Sequence, residues 1–123
     1  MNKFGSYLVC KEHIKEVQNF LKNFFGEKKG RYNHGEWISF IIPNTDFLIN
    51  LMEGDDQPMT QNMTFEIYCD SMEELKEFSK KYHSKIENFI ATSTGKDYRY
   101  NFIEIPGPQG ICKVEMSFCE DMV

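Results

Sequence analysis

Apolar residues recur along this chain at two spacings, one typical of helices and one typical of strands. Helical spacing predicts one helix over residues 11–25, stopped by Gly26, and a second over about 71–82. The second helix opens with a capping box, because Ser71 is followed three residues later by Glu74. The inward positions are Ile14, Val17, Phe20, Leu21 and Phe24 in the first helix, and Met72, Leu75, Phe78, Ser79 and Tyr82 in the second.

Alternation of apolar and polar residues predicts the strands, and clusters of turn-forming residues separate them. Pro43-Asn44-Thr45 is one such turn signal, and the glycine- and proline-rich run at 106–110 is another. The predicted strands are 3–10, a weaker one near 29–32, 35–42 and 46–52, followed by 62–68, 86–92, 97–105 and 111–118.

The second half of the chain repeats the pattern of the first half at an offset of 58 residues. Each half therefore predicts a βαβββ module: module one covers about 1–54, module two covers about 62–123, and an acidic, turn-rich linker lies at about 53–61. The offset matches Tyr7 with Phe65, Val9 with Ile67, Glu16 with Glu74, Phe20 with Phe78 and Lys22 with Lys80.

A module with one helix cannot bury both faces of its sheet, so we expect the two modules to share a single domain, 1–123, of the α+β class. In this arrangement the two tandem βαβββ modules form one curved mixed sheet around a cleft, with the helices on the outer face. Alternation predicts an apolar helix-facing set: Tyr7, Val9, Phe47, Ile49, Leu51, Met63, Phe65, Ile67, Ile103 and Ile105.

The opposite face of the predicted sheet combines aromatic rings with amides and hydroxyls, a mixture typical of small-molecule pockets. Trp37 is the strongest candidate for stacking on a planar or cationic ligand. The alternative is that this face packs on a second subunit or on itself. The candidate ligand-binding residues are Phe4, Ser6, Trp37, Asn50, Asn62, Thr64, Tyr100 and Phe102.

Carboxylates on the same face are candidates for acid–base chemistry. Glu66 and Glu104 could act as a general base or as the partner of a cation if they are buried, because desolvation raises a carboxyl pKa. The simpler interpretation of each is a solvent-exposed strand residue. In the last strand the register stays open by one residue, so either Val114 or Glu115 faces the cleft.

The charge and the absence of targeting signals narrow the function classes. The formal net charge is -5, and no run of basic residues is interleaved with aromatics, so we expect no nucleic-acid partner. No segment has the length of an apolar membrane span, and no secretory signal is recognisable. We therefore expect a cytoplasmic protein whose cysteines are reduced. These are Cys10, Cys69, Cys112 and Cys119.

Three segments carry a family resemblance. Tyr7 to Gly26 and Phe65 to Tyr82 each run from an alternating strand into an amphipathic helix, and Pro106 to Met116 holds a turn followed by a carboxylate-bearing strand. The pattern resembles the vicinal oxygen chelate superfamily of glyoxalases, bleomycin resistance proteins and dioxygenases. The resemblance implies the paired-module fold, a small-molecule ligand and a homodimer, in which some members exchange modules.

The resemblance also indicates where metal-dependent members hold their ion. The matching positions carry Phe4 and Asn62 on the first strands of the modules, Asn50 on the last strand of module one, and at best Glu115 on the last strand of module two. A divalent catalytic site normally draws three or four donors from the protein, some of them charged or imidazole. We therefore expect no metal and no other cofactor.

Two functions follow, with a third of a different class. The first is a small-molecule-binding protein without a catalytic metal, whose cleft takes a partly aromatic or hydrophobic ligand. The alternative is a divergent metal-dependent lyase, isomerase or dioxygenase that uses Glu104 or Glu115. The third possibility is a scaffold that binds another protein.

Overall fold

Two βαβββ modules follow one another along the chain. The computed structural model describes residues 3–10, 12–32, 35–41, 47–54 and 63–122. The α+β class and the predicted element order are confirmed, and the chain divides into two compact units, Met1–Gln61 and Asn62–Val123. The order is β1 (Lys3–Cys10), α1 (Ile14–Leu21), β2 (Gly26–Tyr32), β3 (Gly35–Ile41), β4 (Phe47–Gly54), β5 (Met63–Tyr68), α2 (Met72–Tyr82), β6 (Glu87–Ser93), β7 (Lys96–Pro106) and β8 (Cys112–Asp121).

Each module carries a four-stranded mixed sheet of the same topology. The strand order is β1-β4-β3-β2 in module one and β5-β8-β7-β6 in module two. In both modules the first strand pairs in parallel with the last, and the other pairs are antiparallel. The union of the two sheets around a shared cleft stays a prediction from the resemblance.

The second helix follows its sequence signals closely. Ser71 has an extended backbone, and its Oγ accepts a hydrogen bond from the Glu74 backbone N–H at 3.1 Å, as the capping box predicts. The helix ends at Tyr82, and its C-cap residue, His83, adopts a left-handed conformation with φ 52°.

The first helix is shorter than predicted. Apolar spacing continues to Phe24, but the helix ends at Leu21. Beyond it the backbone tightens into i to i+3 hydrogen bonds, from Asn23 N to Phe20 O at 3.2 Å and from Phe24 N to Leu21 O at 3.0 Å. Phe25 lies in this turn and is buried. The spacing of apolar residues therefore indicates which residues are buried, and not where the helix ends.

The core of each module lies between its helix and its sheet. Val9, Ile49, Leu51, Met63, Phe65 and Ile103 are buried as predicted, Ile67 and Ile105 are half-buried, and the side chains of Tyr7 and Phe47 lie outside the described part. Burying a side chain of this size stabilises the fold by about 1.5–3 kcal/mol. No helix within the described ranges is long and apolar enough to cross a membrane.

A tight hairpin joins β6 to β7 and fixes their register. Thr94 and Gly95 both have positive φ, 50° and 76°, which is the geometry of a two-residue type I′ turn. Ser93 therefore pairs with Lys96, and every second pair further along the hairpin places its side chains on the same face of the sheet.

Candidate functional site

One face of the module-two sheet is packed and the other is open. Helix α2 packs against β7 and β8. Residues at alternate positions of β8, Val114 and Met116, are buried at 0% and 1% exposure, so they belong to the packed side. We call the opposite side, which carries Glu66, Tyr100 and Glu115, the open face.

Three carboxylates form a row across three neighbouring strands of the open face. Glu115 on β8 pairs in register with Glu66 on β5 and with Glu104 on β7. On the antiparallel β7–β8 ladder, directly opposed side chains have Cβ atoms about 4.5–5.5 Å apart. We call these three residues the acidic row. The register that the sequence left open is thereby settled: Val114 is buried and Glu115 lies on the open face.

The centre of the row makes a hydrogen bond to a tyrosine. The Tyr100 hydroxyl donates to Glu115 Oε2 at 3.0 Å. Burial raises the pKa of Tyr100 to about 12; the neighbouring Ser117 hydroxyl lowers this pKa, and the Glu115 carboxylate raises it. The phenol therefore stays protonated and acts as a donor at neutral pH.

The Glu115 carboxyl group is easier to protonate than an ordinary glutamate. Burial raises its pKa above the usual 4.5, and so do its contact with Glu66 and the charges of Glu66 and Glu104, while the hydrogen bond from Tyr100 opposes the shift. The third member of the row is paired, since Glu104 Oε1 lies 3.0 Å from Lys113 Nζ.

Three aromatic rings lie beside the acidic row. Phe89 and Tyr100 are paired in register, and their ring centroids are 5.1 Å apart. Phe102 lies 5.9 Å from Phe89 and 5.6 Å from Tyr100. These separations are those of favourable tilted and edge-to-face pairs. We call the three residues the aromatic cluster; Tyr100 joins it to the acidic row.

A buried hydroxyl lies between the two groups. Ser117 is on the same side of β8 as Glu115, two residues further on, and pairs with Phe102 and with Tyr68. Its side chain is 1% exposed, and among the described residues no group makes a hydrogen bond with its Oγ. Buried hydroxyls usually have such a partner, and the neighbouring group here is the Tyr100 hydroxyl, whose pKa Ser117 lowers.

A cavity opens at one end of the open face. Its volume is about 520 Å³, within the range of pockets that hold small molecules. The Glu104–Lys113 ion pair and Thr64 contribute its polar wall, and Met63, Pro106, Gly110 and Cys112 complete the lining.

The predicted site residues divide into two groups. Thr64, Tyr100, Phe102, Glu104 and Glu115 share the open face of module two, and Thr64 is exposed. In module one, Ser6 on β1 pairs in register with Asn50 on β4. The side chains of Phe4, Ser6, Trp37 and Asn50 lie outside the described part, and so does the whole of Asn62.

The donor set does not fit the divalent metal that metal-dependent proteins of this fold hold. In the described part of the chain, no three His, Cys, Asp or Glu side chains are arranged to hold a metal ion. Glu104 is engaged with Lys113, and Glu115 accepts a hydrogen bond from a neutral phenol. The positions Phe4, Asn50 and Asn62 supply neither imidazole nor carboxylate.

Three residues of the site were missed from the sequence. Phe89 could have been found, because the Thr94-Gly95 turn signal fixes the hairpin register that brings it opposite Tyr100. Ser117 could not be assigned to this face, because the assignment depends on the register of β8, which the sequence did not decide. Tyr68, 70% exposed, ends β5, and its hydroxyl donates to Glu66 Oε2 at 3.4 Å.

Several solved structures share this fold at low sequence identity. TnmS3, an antibiotic binding protein from Streptomyces sp. CB03234, is 11% identical with a TM-score of 0.58, over 96% of this chain and 94% of that chain. Lactoylglutathione lyase from Agrobacterium tumefaciens is 13% identical with a TM-score of 0.55, and the match covers 96% of this chain and 92% of the lyase chain. A glyoxalase/bleomycin resistance protein from Streptomyces sp. CB03234 is 12% identical with a TM-score of 0.52, over 94% and 98%.

No protein-family profile and no curated protein sequence matches this chain. At the identities of the solved structures the likeness shows the fold alone. The chain has the fold of the glyoxalase, bleomycin resistance and dioxygenase proteins, as the resemblance in the sequence predicts.

Proposed function

We propose that this chain, which has the glyoxalase and bleomycin-resistance fold, is a small-molecule-binding protein that takes a partly aromatic or hydrophobic ligand without a catalytic metal. The observation that carries the proposal is the aromatic cluster beside the Tyr100–Glu115 hydrogen bond, on a sheet face that α2 does not cover. Rings supply contact area, and a few fixed polar groups orient the bound molecule.

The neighbouring cavity and the similar structures support this choice. The cavity of about 520 Å³ borders the acidic row through Glu104, so a ligand held by the rings has room to extend along the sheet. TnmS3, which shares the fold, is itself an antibiotic binding protein. Trp37, Phe4, Ser6, Asn50 and Asn62 stay candidates for further contacts.

A thermal-shift screen against a broad panel of drugs and metabolites tests the proposal. A ligand that binds only the folded state raises Tm in proportion to its concentration above Kd. The Phe89→Ala variant is expected to weaken binding of the hits by about tenfold, since it removes one ring of the cluster.

Ile90→Ala is the matched control. Phe89 and Ile90 are neighbours on β6 and are 52% and 49% exposed, but they lie on opposite faces of the sheet. Binding that survives Phe89→Ala and Phe102→Ala unchanged would contradict the proposed site, and a panel without a single hit would contradict the function.

The alternative of a metal-dependent lyase, isomerase or dioxygenase makes a different prediction. It requires stoichiometric metal in the purified protein, bound by donors beyond those that the described residues bring together. Elemental analysis decides between the two functions. The homodimer stays a prediction from the resemblance, which light scattering of the purified protein measures.

A further inference from the structure

Strand β6 forms one edge of the module-two sheet. In the described part of the chain it pairs with β7 alone, so the backbone groups on its other side face outward. The two-residue turn fixes which groups these are, because Ser93 and Lys96 close it as a hydrogen-bonded pair. Bonded and non-bonded pairs alternate along an antiparallel ladder, so Phe89 and Ala91 also bond to β7. The outward-facing N–H and C=O groups belong to Asn88, Ile90 and Thr92.

This edge lacks the features by which sheet edges usually avoid pairing with another chain. The seven residues of β6 include no lysine and no proline, and its pairing with β7 runs without a bulge. Two large apolar side chains are exposed on opposite faces of the strand, Phe89 at 52% and Ile90 at 49%. A regular edge strand with exposed apolar residues on both faces is a template for a further strand.

The corresponding edge of module one has a different chemistry. Strand β2 occupies the same place in the same topology, at the end of the order β1-β4-β3-β2. Its sequence includes Lys28, Lys29 and Arg31, and charged residues of this kind keep an edge from pairing. The apolar sequence of β6 is therefore not a consequence of the repeated fold.

Strand β6 is complementary to a second copy of itself. An antiparallel pair with Ile90 on the twofold axis places Asn88 of each copy opposite Thr92 of the other, so every outward-facing backbone group has a partner. A shift along the strand would place some of these groups opposite residues outside β6. On one face Ile90 contacts Ile90 of the other copy. On the other face Phe89 lies opposite Ala91 and diagonal to the second Phe89, within reach of an aromatic side chain.

The charges agree with this register. Glu87 is the one ionisable residue of β6, and it falls opposite Ser93 of the other copy, where it meets no like charge. The same row continues to Lys96, which pairs with Ser93 across the hairpin. We propose that β6 is a self-association surface: two copies of this chain pair through antiparallel β6 strands centred on Ile90 and form one continuous sheet. The inference does not depend on the ligand proposed above.

A charge on the twofold axis is the first test. Ile90→Lys places two like charges directly opposite each other and removes the apolar contact, so the dimer Kd should rise at least about tenfold in sedimentation experiments. Met122→Lys is the matched control, because it adds the same charge to an exposed apolar residue just after β8, and β8 lies away from this edge. The control should dimerise as the wild type does.

An opposite charge at the same position should restore the pairing. Ile90→Glu alone is expected to weaken the dimer for the same reason as Ile90→Lys. An equimolar mixture of the two variants should form a heterodimer with a Kd at least about fivefold lower than that of either variant alone. This recovery requires that the two copies meet at residue 90.

Amide hydrogen exchange of the full chain reports on the edge itself and on the fold of the variant. The N–H groups of Asn88 and Thr92 face outward, so they should exchange at least about tenfold faster in Ile90→Lys than in the wild type. Phe89 and Ala91 donate to β7 and should stay protected in both proteins, which shows that the hairpin is intact.

Three results would overturn the inference. The first is a wild type that is still monomeric at about 1 mM, which would favour a strand of another protein as the occupant of this edge. The second is a wild-type dimer in which the Asn88 and Thr92 amides exchange freely, because such a dimer uses another surface. The third is a mixture of Ile90→Lys and Ile90→Glu that dimerises no better than either variant alone.

Discussion

Tyr100 and Glu115 share a hydrogen bond although the strand register does not pair them. Tyr100 on β7 lies opposite Cys119, and Glu115 on β8 lies opposite Glu104, yet the Tyr100 hydroxyl is 3.0 Å from Glu115 Oε2. The two side chains reach toward each other along the sheet, over the position of Ser117 between them. This arrangement accounts for a buried serine on a face that is otherwise open.

Tyr100→Phe removes this hydrogen bond and keeps the ring. We expect the variant to lose about 1 kcal/mol of unfolding free energy, since the acceptor is charged and only partly buried. Urea denaturation measures the change. Tyr68→Phe is the control, because its hydroxyl is exposed and its bond to Glu66 is longer at 3.4 Å, and it should change stability by less than about 0.5 kcal/mol. Equal losses in the two variants would contradict the special role of Tyr100.

Glu115→Gln tests the raised pKa of the central carboxyl group. Because burial and Glu66 raise the folded-state pKa above the ordinary 4.5, the native state holds the proton more tightly than the unfolded state does. This contribution to stability is complete below the ordinary pKa and is lost as pH rises through the folded pKa. The groups that face Glu115 are Glu66, Glu104, Tyr100 and Lys113.

The wild type should therefore lose stability relative to Glu115→Gln as pH rises from the ordinary carboxyl pKa of 4.5 through the higher folded-state pKa. Urea unfolding of both proteins at a series of pH values gives the difference in unfolding free energy. If the wild type instead gained unfolding free energy relative to Glu115→Gln at higher pH, the folded-state pKa of Glu115 would be lowered and not raised.

Gly107→Ala tests a close backbone approach at the start of the turn before β8. A Cβ at Gly107 would overlap the Cys112 carbonyl oxygen and lie 2.7 Å from Cys112 Sγ. The Gly107 N–H also donates to that carbonyl at 2.8 Å, so the backbone cannot move away freely. We expect a loss of about 1–3 kcal/mol in urea denaturation.

Gly26→Ala is the control for this variant. The nearest atom to an added Cβ at Gly26 is Ile41 Cδ1 at 3.8 Å, which is ordinary contact. Its stability should stay within about 0.5 kcal/mol of the wild type. Similar losses at both glycines would show that the contact with Cys112 does not set the effect, because the entropy of the unfolded chain by itself makes a Gly→Ala substitution stabilising.

Ser71→Ala removes the side-chain cap of α2. The Oγ satisfies the Glu74 N–H at 3.1 Å, and alanine leaves that donor without its partner. The expected loss is about 1 kcal/mol in thermal or chemical unfolding. Ser71→Asp should retain most of the wild-type stability, because aspartate caps helices about as well as serine. If Asp were as unfavourable as Ala, the cap would not explain the loss.

Thiol labelling of the native protein tests the burial of the cysteines. Burial raises the pKa of Cys69 to about 11, with the Glu74 and Asp70 charges adding to it, and burial raises the pKa of Cys112 to about 11. At pH 7.5 both are almost wholly protonated and unreactive toward iodoacetamide. Cys119 is exposed and should be modified before Cys69 and Cys112, as peptide mass spectrometry of a time course would show. Early modification of Cys112 would contradict its burial and mean that the start of β8 is accessible to solvent in the native protein.

The fold could be predicted from the sequence because of the internal repeat and the capping residues of α2. Ser71 and Glu74 begin α2 where the capping box predicts, since a cap is a local interaction that neighbouring residues specify. The helix over 11–25 was predicted too long, because Phe25 is buried from a turn, and spacing alone cannot distinguish a buried turn from another helical residue.

The site could be predicted only in part. Tyr100, Phe102 and Thr64 followed from the alternation of their strands, which is a property of the extended chain itself. The sequence did not decide whether Glu115 or Val114 faces the cleft, because the glycine- and proline-rich turn before β8 can shift the register by one residue. Only the pairing of Glu115 with Glu66 and Glu104 removes the ambiguity.

By itself, then, the sequence determined the two modules, the N-terminal cap of α2 and the alternation within each strand, all of which arise from residues close together along the chain. The tertiary structure alone decided which side chains meet: that three glutamates from β5, β7 and β8 form a row, and that Tyr100 bonds to the middle one. The physical reason is that strand register is set by hydrogen bonds between distant segments, and those bonds form only when the whole sheet is assembled.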